Sequence, residues 1–333
     1  MTRSSFGLVL SFTAVVSPIL AQAPANRTLL KPASQTKTWT MPHTADGQPD
    51  LQGVWSNATT TPLERPTELG DKEFFTAAEA KAWEKRVVDR NSMDQKSVAA
   101  DVFVAYNDAW YDRGTRTAKT MRTSMIMDPK DGKLPAMTAD GKVRAAAAAK
   151  ERQLHPADGP ESRSLTERCL LFGAAGPPMM PGPYNNNYQF VQTKDTVTIL
   201  IEMIHDTRVI PIAAAGQPRS HLSSNVRLLK GDSIGHWEGN TLVVDTTNFD
   251  GRARFRGTSE NLHLTERFTR TDAETILYEY SVDDPATYTK PWTAQMTMSH
   301  SDSPIYEYAC HEGNYGMMGI LSGARKEEKQ AAK

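Results

Sequence analysis

From residue 184 to residue 312 the chain runs as one hairpin after another, and no other feature of the sequence limits its fold so strongly. "NYQFVQTKDTVTILIEM" carries two alternating stretches joined at Lys194-Asp195, and "RVIPI" supplies a further strand. "SIGHWEGNTLVVDTTNF" turns at Gly239-Asn240, a pair suited to a tight turn. "LHLTERFTRTDAETILYEYSVDD" turns around Thr271-Asp272, and "WTAQMTMSHSDSPIYEYACHE" around Asp302-Ser303. Consecutive hairpins at this spacing predict a mainly β fold, an antiparallel up-and-down meander that closes as a barrel or stacks as a sandwich.

Upstream the pattern is different. "PDLQGVWSN", residues 49–57, has the composition of a first strand, and residues 58–73 are rich in Pro and Thr. Thr76 followed by Glu79 forms a capping box, in which each side chain satisfies a free backbone N–H, so a helix is predicted over 77–90. Alanine content predicts a second helix over 141–153, with a strand over 120–127 between them. The chain of 333 residues is long enough for one sizeable core. The meander is expected to close with the Gly53–Trp55 strand into one domain over residues 47–325, with residues 76–153 as a helical excursion and a charged tail after it.

A first strand carrying Gly53-Val54-Trp55 ahead of a long meander resembles the lipocalin-like (calycin) barrels. The stretches "GPYNNNYQFVQ", "EMIHDTRVIP", "SENLHLTERFTR", "VDDPATYTKPW" and "YEYACHEGNYG" resemble an uncharacterised family of exported bacterial proteins. The resemblance spans most of residues 49–325 and implies an exported, β-rich fold; it brings no activity with it.

The N-terminus has the form of a targeting segment. Arg3 precedes the apolar "FGLVLSFTAVVSPIL", and "AQAPA" at 21–25 offers small residues for cleavage after Ala25. No Cys follows the apolar run, so a lipid anchor is not indicated, and residues 26–46 look like a flexible lead-in. The expected location is the periplasm or the exterior, with no membrane span after cleavage. An oxidising compartment favours pairing of the only two cysteines, Cys169 and Cys310. Basic and acidic residues balance at 38 and 39 with no basic block, which argues against a nucleic-acid partner. No Gly-x-Ser-x-Gly, phosphate loop or dinucleotide fingerprint is present.

The chemistry has to come from polar residues on the strands. "IEMIHDTRVIPI", residues 201–212, is mostly Ile, Val and Met yet carries Glu202, His205, Asp206 and Arg208. Side chains alternate across a strand. On residues 261–269, Leu262, Leu264, Glu266 and Phe268 therefore share one face, and Asn261, His263, Thr265 and Arg267 the other. In a solvent-backed barrel the mixed face is outside; in a ligand-holding barrel it lines the lumen. Asn185 and Asn187 beside Pro181, Gly182 and Pro183 make either a rigid rim or an Asx-turn before a strand.

These residues give a candidate site. Glu202, His205, His263 and His311 are the candidate acids and bases, since a carboxylate in apolar surroundings and a His oriented by an Asp can both move protons. Tyr184, Asn185, Asn187, Arg208, Asn261, Trp292 and Asn314 are the candidate substrate contacts. A Glu202–Arg ion pair is the structural alternative. No short His-x-His or His-x-x-x-His spacing supports a metal, so no cofactor is assigned. Two functions fit. One is an exported lyase, isomerase or cofactor-free hydrolase acting on a small organic molecule in a barrel cavity. The other is a lipocalin-like carrier of an apolar or aromatic ligand, and a lumen packed solid would instead favour a scaffold.

Overall fold

The computed structural model describes residues 39–92, 108, 111–173, 175–214 and 216–332, so the targeting segment and the lead-in up to residue 38 lie outside the described residues. Its strands are β1 (Gly53–Ser56), β2 (Ile126–Asp128), β3 (Asn187–Gln192), β4 (Thr196–Ile201), β5 (Asp206–Pro211), β6 (Asp232–Glu238), β7 (Thr241–Thr247), β8 (His263–Asp272), β9 (Thr275–Asp283) and β10 (Trp292–His300). The α-helices are α1 (Ala77–Asn91), α2 (Ala139–Leu154) and α3 (Tyr315–Ala331).

The strands form one sheet in the order β5-β4-β3-β1-β10-β9-β8-β7-β6, with β2 added beside β10. Every pairing along this path is antiparallel. The path has nine members, and alternating nine directions leaves its two ends pointing the same way. A ring of this size must therefore close in parallel, and it does: the contact between the ends is a parallel bridge, Ile212 to Gly235, with Ala213 N–H donating to the Gly235 carbonyl at 2.7 Å. A parallel connection cannot be a tight turn. That is why β5 and β6 are joined by a long loop, residues 212–231, and not by a tight turn. Glycine at the seam leaves room for the side chains packed over it, since a Cβ on Gly235 would lie 2.7 Å from Ile212 Cδ1. The result is a nearly closed antiparallel barrel, consistent with a lipocalin-like fold.

Alternation decides what fills it. Leu264, Glu266 and Phe268 of β8, Ile276, Tyr278, Tyr280 and Val282 of β9, and Met296 of β10 are buried. Aromatic rings stack through the interior: Phe268 lies 4.8 Å from Tyr278, Tyr278 5.6 Å from Tyr280, and Tyr280 5.8 Å from Trp292. Each large apolar side chain so buried contributes about 1.5–3 kcal/mol relative to exposure. The segment 175–180 is buried too and plugs one end, where Met179 N–H donates to the Tyr278 hydroxyl at 3.0 Å and the Tyr280 hydroxyl meets Met180 Sδ at 2.8 Å.

The capping box forms as expected, with Glu79 N–H on Thr76 Oγ1 and the Glu79 carboxylate on Thr76 N–H. Helix α1 packs Phe75, Ala80, Trp83 and Val87 into a small separate cluster, and the Trp83 indole donates to the Thr60 carbonyl at 3.1 Å. The disulfide Cys169–Cys310 is present.

Three local expectations differ. The strand over 120–127 shrinks to β2. The turn after β8 falls at Ala273-Glu274, because Asp272 Oδ1 accepts from Glu274 N–H at 2.8 Å and so takes the first turn position. No hairpin forms around Asp302-Ser303: β9 and β1 already occupy both edges of β10, so the chain beyond has no strand to pair with and continues instead into α3.

Candidate functional site

The polar residues of "IEMIHDTRVIPI" fall into two separate groups. Ile201 pairs with Asp206, so Glu202–His205 forms the loop between β4 and β5. Arg208, on β5, points into the barrel. Its guanidinium donates to Glu266 on β8 at 2.5 Å, to Ser233 on β6 at 2.9 Å and to Thr246 on β7 at 3.0 Å. Glu266 also accepts from the Tyr278 hydroxyl at 2.7 Å. Burial, then the adjacent carboxylate charge, pushes the Tyr278 phenol well above its ordinary value, so it stays a donor. Arg208 is thus buried in a structural network that crosses the parallel seam from inside. It is not paired with Glu202.

Glu202 has neutral partners. It is buried and accepts from Asn187 Nδ2 at 2.8 Å, from Asn187 N–H at 3.3 Å and from Tyr306 N–H at 3.4 Å. Tyr184 stands nearby in sequence and stacks on Tyr308 at 6.4 Å, and burial followed by the Tyr308 contact pushes its phenol up to about 12. Asn186 is the structural member of the triplet, since its Oδ1 accepts from Gly182 N–H at 2.7 Å, while Asn185 takes the left-handed conformation with φ 53°. Tyr184, Asn187 and Glu202 therefore belong to one end of the barrel.

The other expected residues do not join them. The face bearing Thr265 and Arg267 lies outside the barrel, because the aromatic rings of the opposite face already fill a ring of this size. His263 is exposed and faces Asp245, whose other oxygen faces His221 Nε2 at 2.8 Å; His221 Nδ1 in turn faces Asp232 at 3.0 Å. Asn261, His205 and His311 are exposed. Asn314 caps α3 and donates to the Glu167 carbonyl at 2.9 Å. Trp292 is fully buried, one layer beneath a surface ring, Phe255, on which it stacks at 6.2 Å. Among the described residues no group of three or more His, Cys, Asp or Glu side chains is placed to hold a metal ion.

His205 offers a direct check on its role. Its φ is 52°, a left-handed conformation that costs a residue with a Cβ about 1–2 kcal/mol. Glycine removes that cost but adds about 0.5–1 kcal/mol of chain entropy. His205→Gly is expected to give a net gain of roughly 0.5 kcal/mol in urea denaturation. A loss above about 1 kcal/mol would show that the imidazole holds the loop.

Above the plugged end lies the feature that sequence reasoning missed, a cleft of about 1010 Å³. Three stretches carry its polar walls, the end of α2, residues 161–173 and residues 249–256 between β7 and β8, and Gly176, Pro177, Met180, Pro181 and Leu229 complete it. Its floor is apolar, with Phe255, Phe249, Met180 and Leu171. Its walls carry six arginines, Arg152, Arg163, Arg168, Arg252, Arg254 and Arg256, against two glutamates, Glu151 and Glu161. His155 is also on the wall; Asp158, 2.7 Å from its Nδ1, raises its pKa through their hydrogen bond. The disulfide fixes this wall, since Cys169 follows Arg168 directly. The one cue in the sequence was "RARFR" at 252–256, three arginines within five residues. None of Glu202, His205, His263 and His311 lines the cleft.

Fold and site together define the class: a plugged up-and-down β-barrel with an arginine-walled cleft across one end. No family model, curated protein or solved structure matches this chain. Among the described residues no helix is long and apolar enough to cross a membrane, which with the disulfide is compatible with an exported protein.

Proposed function

We propose that this is an exported small-molecule-binding protein whose ligand lies in the cleft over the plugged end, not among the strands. The observation that carries this reading is the cleft itself. Its volume of about 1010 Å³ is at the upper end of the usual range for small-molecule sites, and it joins an apolar floor to a few convergent polar groups. The interior of the barrel supports the same conclusion, because stacked rings and the Arg208 network occupy the luminal side. A transport or buffering role in the cell envelope follows from binding without chemistry.

An enzyme is the second reading, and it rests on His155. This ring lines the cleft and is oriented by Asp158, the arrangement of a general acid or base. The expected acid–base group of Glu202, His205, His263 and His311 gives it less support, since those side chains have separate surroundings.

The test uses Gly173, which lines the cleft and where an added Cβ meets no atom within 4 Å. Gly173→Trp adds an indole at a lining position where the backbone leaves room for its Cβ. A ligand at a hundredfold excess over its Kd adds about 2.7 kcal/mol of stability. Wild-type protein screened against small organic molecules is expected to show hits as a rise in Tm, and Gly173→Trp to abolish them. Hits that survive in Gly173→Trp would place binding elsewhere and sink the reading. Turnover lost in His155→Gln with binding retained would favour the enzyme.

A further inference from the structure

Resting on the cleft reading above, we infer that the ligand is an organic anion, an apolar body bearing a carboxylate or a phosphate ester. The arginines of the wall are only partly neutralised from within. Glu167 meets Arg163, and Asp250 meets Arg252 at 2.6 Å. Glu161 reaches Arg168 only at 3.9 Å. Arg254 donates to a backbone carbonyl, that of Gly251, at 2.6 Å. Arg152 and Arg256 have no carboxylate partner among the described residues. A chain whose charges balance at 38 and 39 has thus gathered cations around one concave surface. Like charges lining a cleft repel one another and concentrate field there, and a bound anion relieves both effects.

The type of cation narrows the choice. Every lining cation is Arg and none is Lys. A guanidinium presents a planar fork that pairs with two oxygens of a carboxylate or phosphate, and it binds them at a partly wet site better than a hydrated ammonium does. Arg256 also holds a strained backbone, φ 49°, and its carbonyl is fixed by the Tyr288 hydroxyl at 3.0 Å. Strain of this kind survives where the surroundings over-determine it, and it clusters at binding sites. The floor sets the rest of the ligand. Phe255 is half-buried, backed by Trp292 and flanked by Tyr280 at 6.4 Å, so it offers a rigid face for a ring or a branched apolar group.

Isothermal titration of the disulfide-bonded protein with three probes tests this: naphthoate, naphthyl phosphate and the neutral naphthalenemethanol. The two anions are expected to bind at least about tenfold more tightly than the alcohol, or roughly 1.4 kcal/mol. That advantage should shrink as salt is raised. It should fall to near parity in Arg152→Gln/Arg256→Gln, while the alcohol binds as before. Tighter binding of the phosphate assigns a phosphate ester, and tighter binding of the carboxylate a carboxylic acid; either supports the inference. Equal binding of anions and alcohol, still blocked by Gly173→Trp, would overturn the inference and leave the cleft reading intact. An anion advantage that persists unchanged in the double variant would also overturn it. If none of the probes binds, the cleft reading falls and the inference with it.

Discussion

Arg208→Met is expected to destabilise the protein by about 3–5 kcal/mol, because it leaves the Glu266 carboxylate buried without its cation. The pair lies in the core, with Glu266 fully buried, and its attraction is not the source of this number. Taking two charges out of water costs nearly as much as their attraction returns, so the large penalty comes from stranding one of them. Ser233 and Thr246 lose the guanidinium as a donor and keep only the 3.0 Å hydrogen bond between their hydroxyls. Glu266→Gln strands the Arg208 guanidinium in its turn and should cost a comparable amount, offset in part by the amide oxygen, which still accepts a hydrogen bond. Arg208→Met/Glu266→Met should recover at least half of the single-variant loss. Urea denaturation with fluorescence and circular dichroism measures all three. A loss below about 1 kcal/mol for Arg208→Met would mean the guanidinium is not a core element, and the account of the seam would be wrong.

Removing the disulfide gives the second large effect. Cys169 and Cys310 are separated by 141 residues, and the loop-closure model assigns such a bond up to about 5 kcal/mol, mainly by restricting the unfolded chain. The bond also has a local task. Residues 301–314 have no sheet partner and hold to the body through few contacts, among them Tyr306 on Glu202 and Asn314 on Glu167. Cys169→Ser/Cys310→Ser should therefore lower global stability by a few kcal/mol and loosen the cleft wall beside Arg168. Hydrogen exchange would show this as faster exchange of residues 161–173 before the barrel strands respond. Unchanged denaturation and exchange in the double serine variant would refute both parts.

Much of the fold was legible because it follows from local rules. The hairpins announce themselves through alternation and turn residues, and Gly239-Asn240 sits where it was expected. Thr76 and Glu79 start α1 by their own chemistry. Glu266 was placed on the apolar face of its strand by parity alone. Its partner was not legible, because Arg208 is 58 residues away and reaches it across β6 and β7. Sequence proximity pointed to Glu202 instead. Which face lines the lumen was not legible for a related reason: alternation shows that two faces exist, and only the summed volume of Tyr278, Tyr280, Phe268 and Trp292 decides which of them a narrow ring can hold. The cleft was the hardest part, since three separated stretches supply its arginines and none of them alone is a basic block. The last expected hairpin failed because a local pattern cannot reveal that both neighbours of β10 are already taken.

The odd strand count has a consequence for how this barrel can change over time. Hairpins enter and leave a meander two strands at a time, and adding or subtracting two leaves an odd number odd. Any descendant that gains or loses whole hairpins therefore inherits the mismatch of direction between β5 and β6, together with the connection over residues 212–231 that spans it. Arg208 would keep its task through every such rearrangement, lacing the gap from inside. Only the gain or loss of a single strand would make the count even. In that event the seam could zip as an ordinary antiparallel ladder, the long connection would become dispensable, and Arg208 would be released from the core.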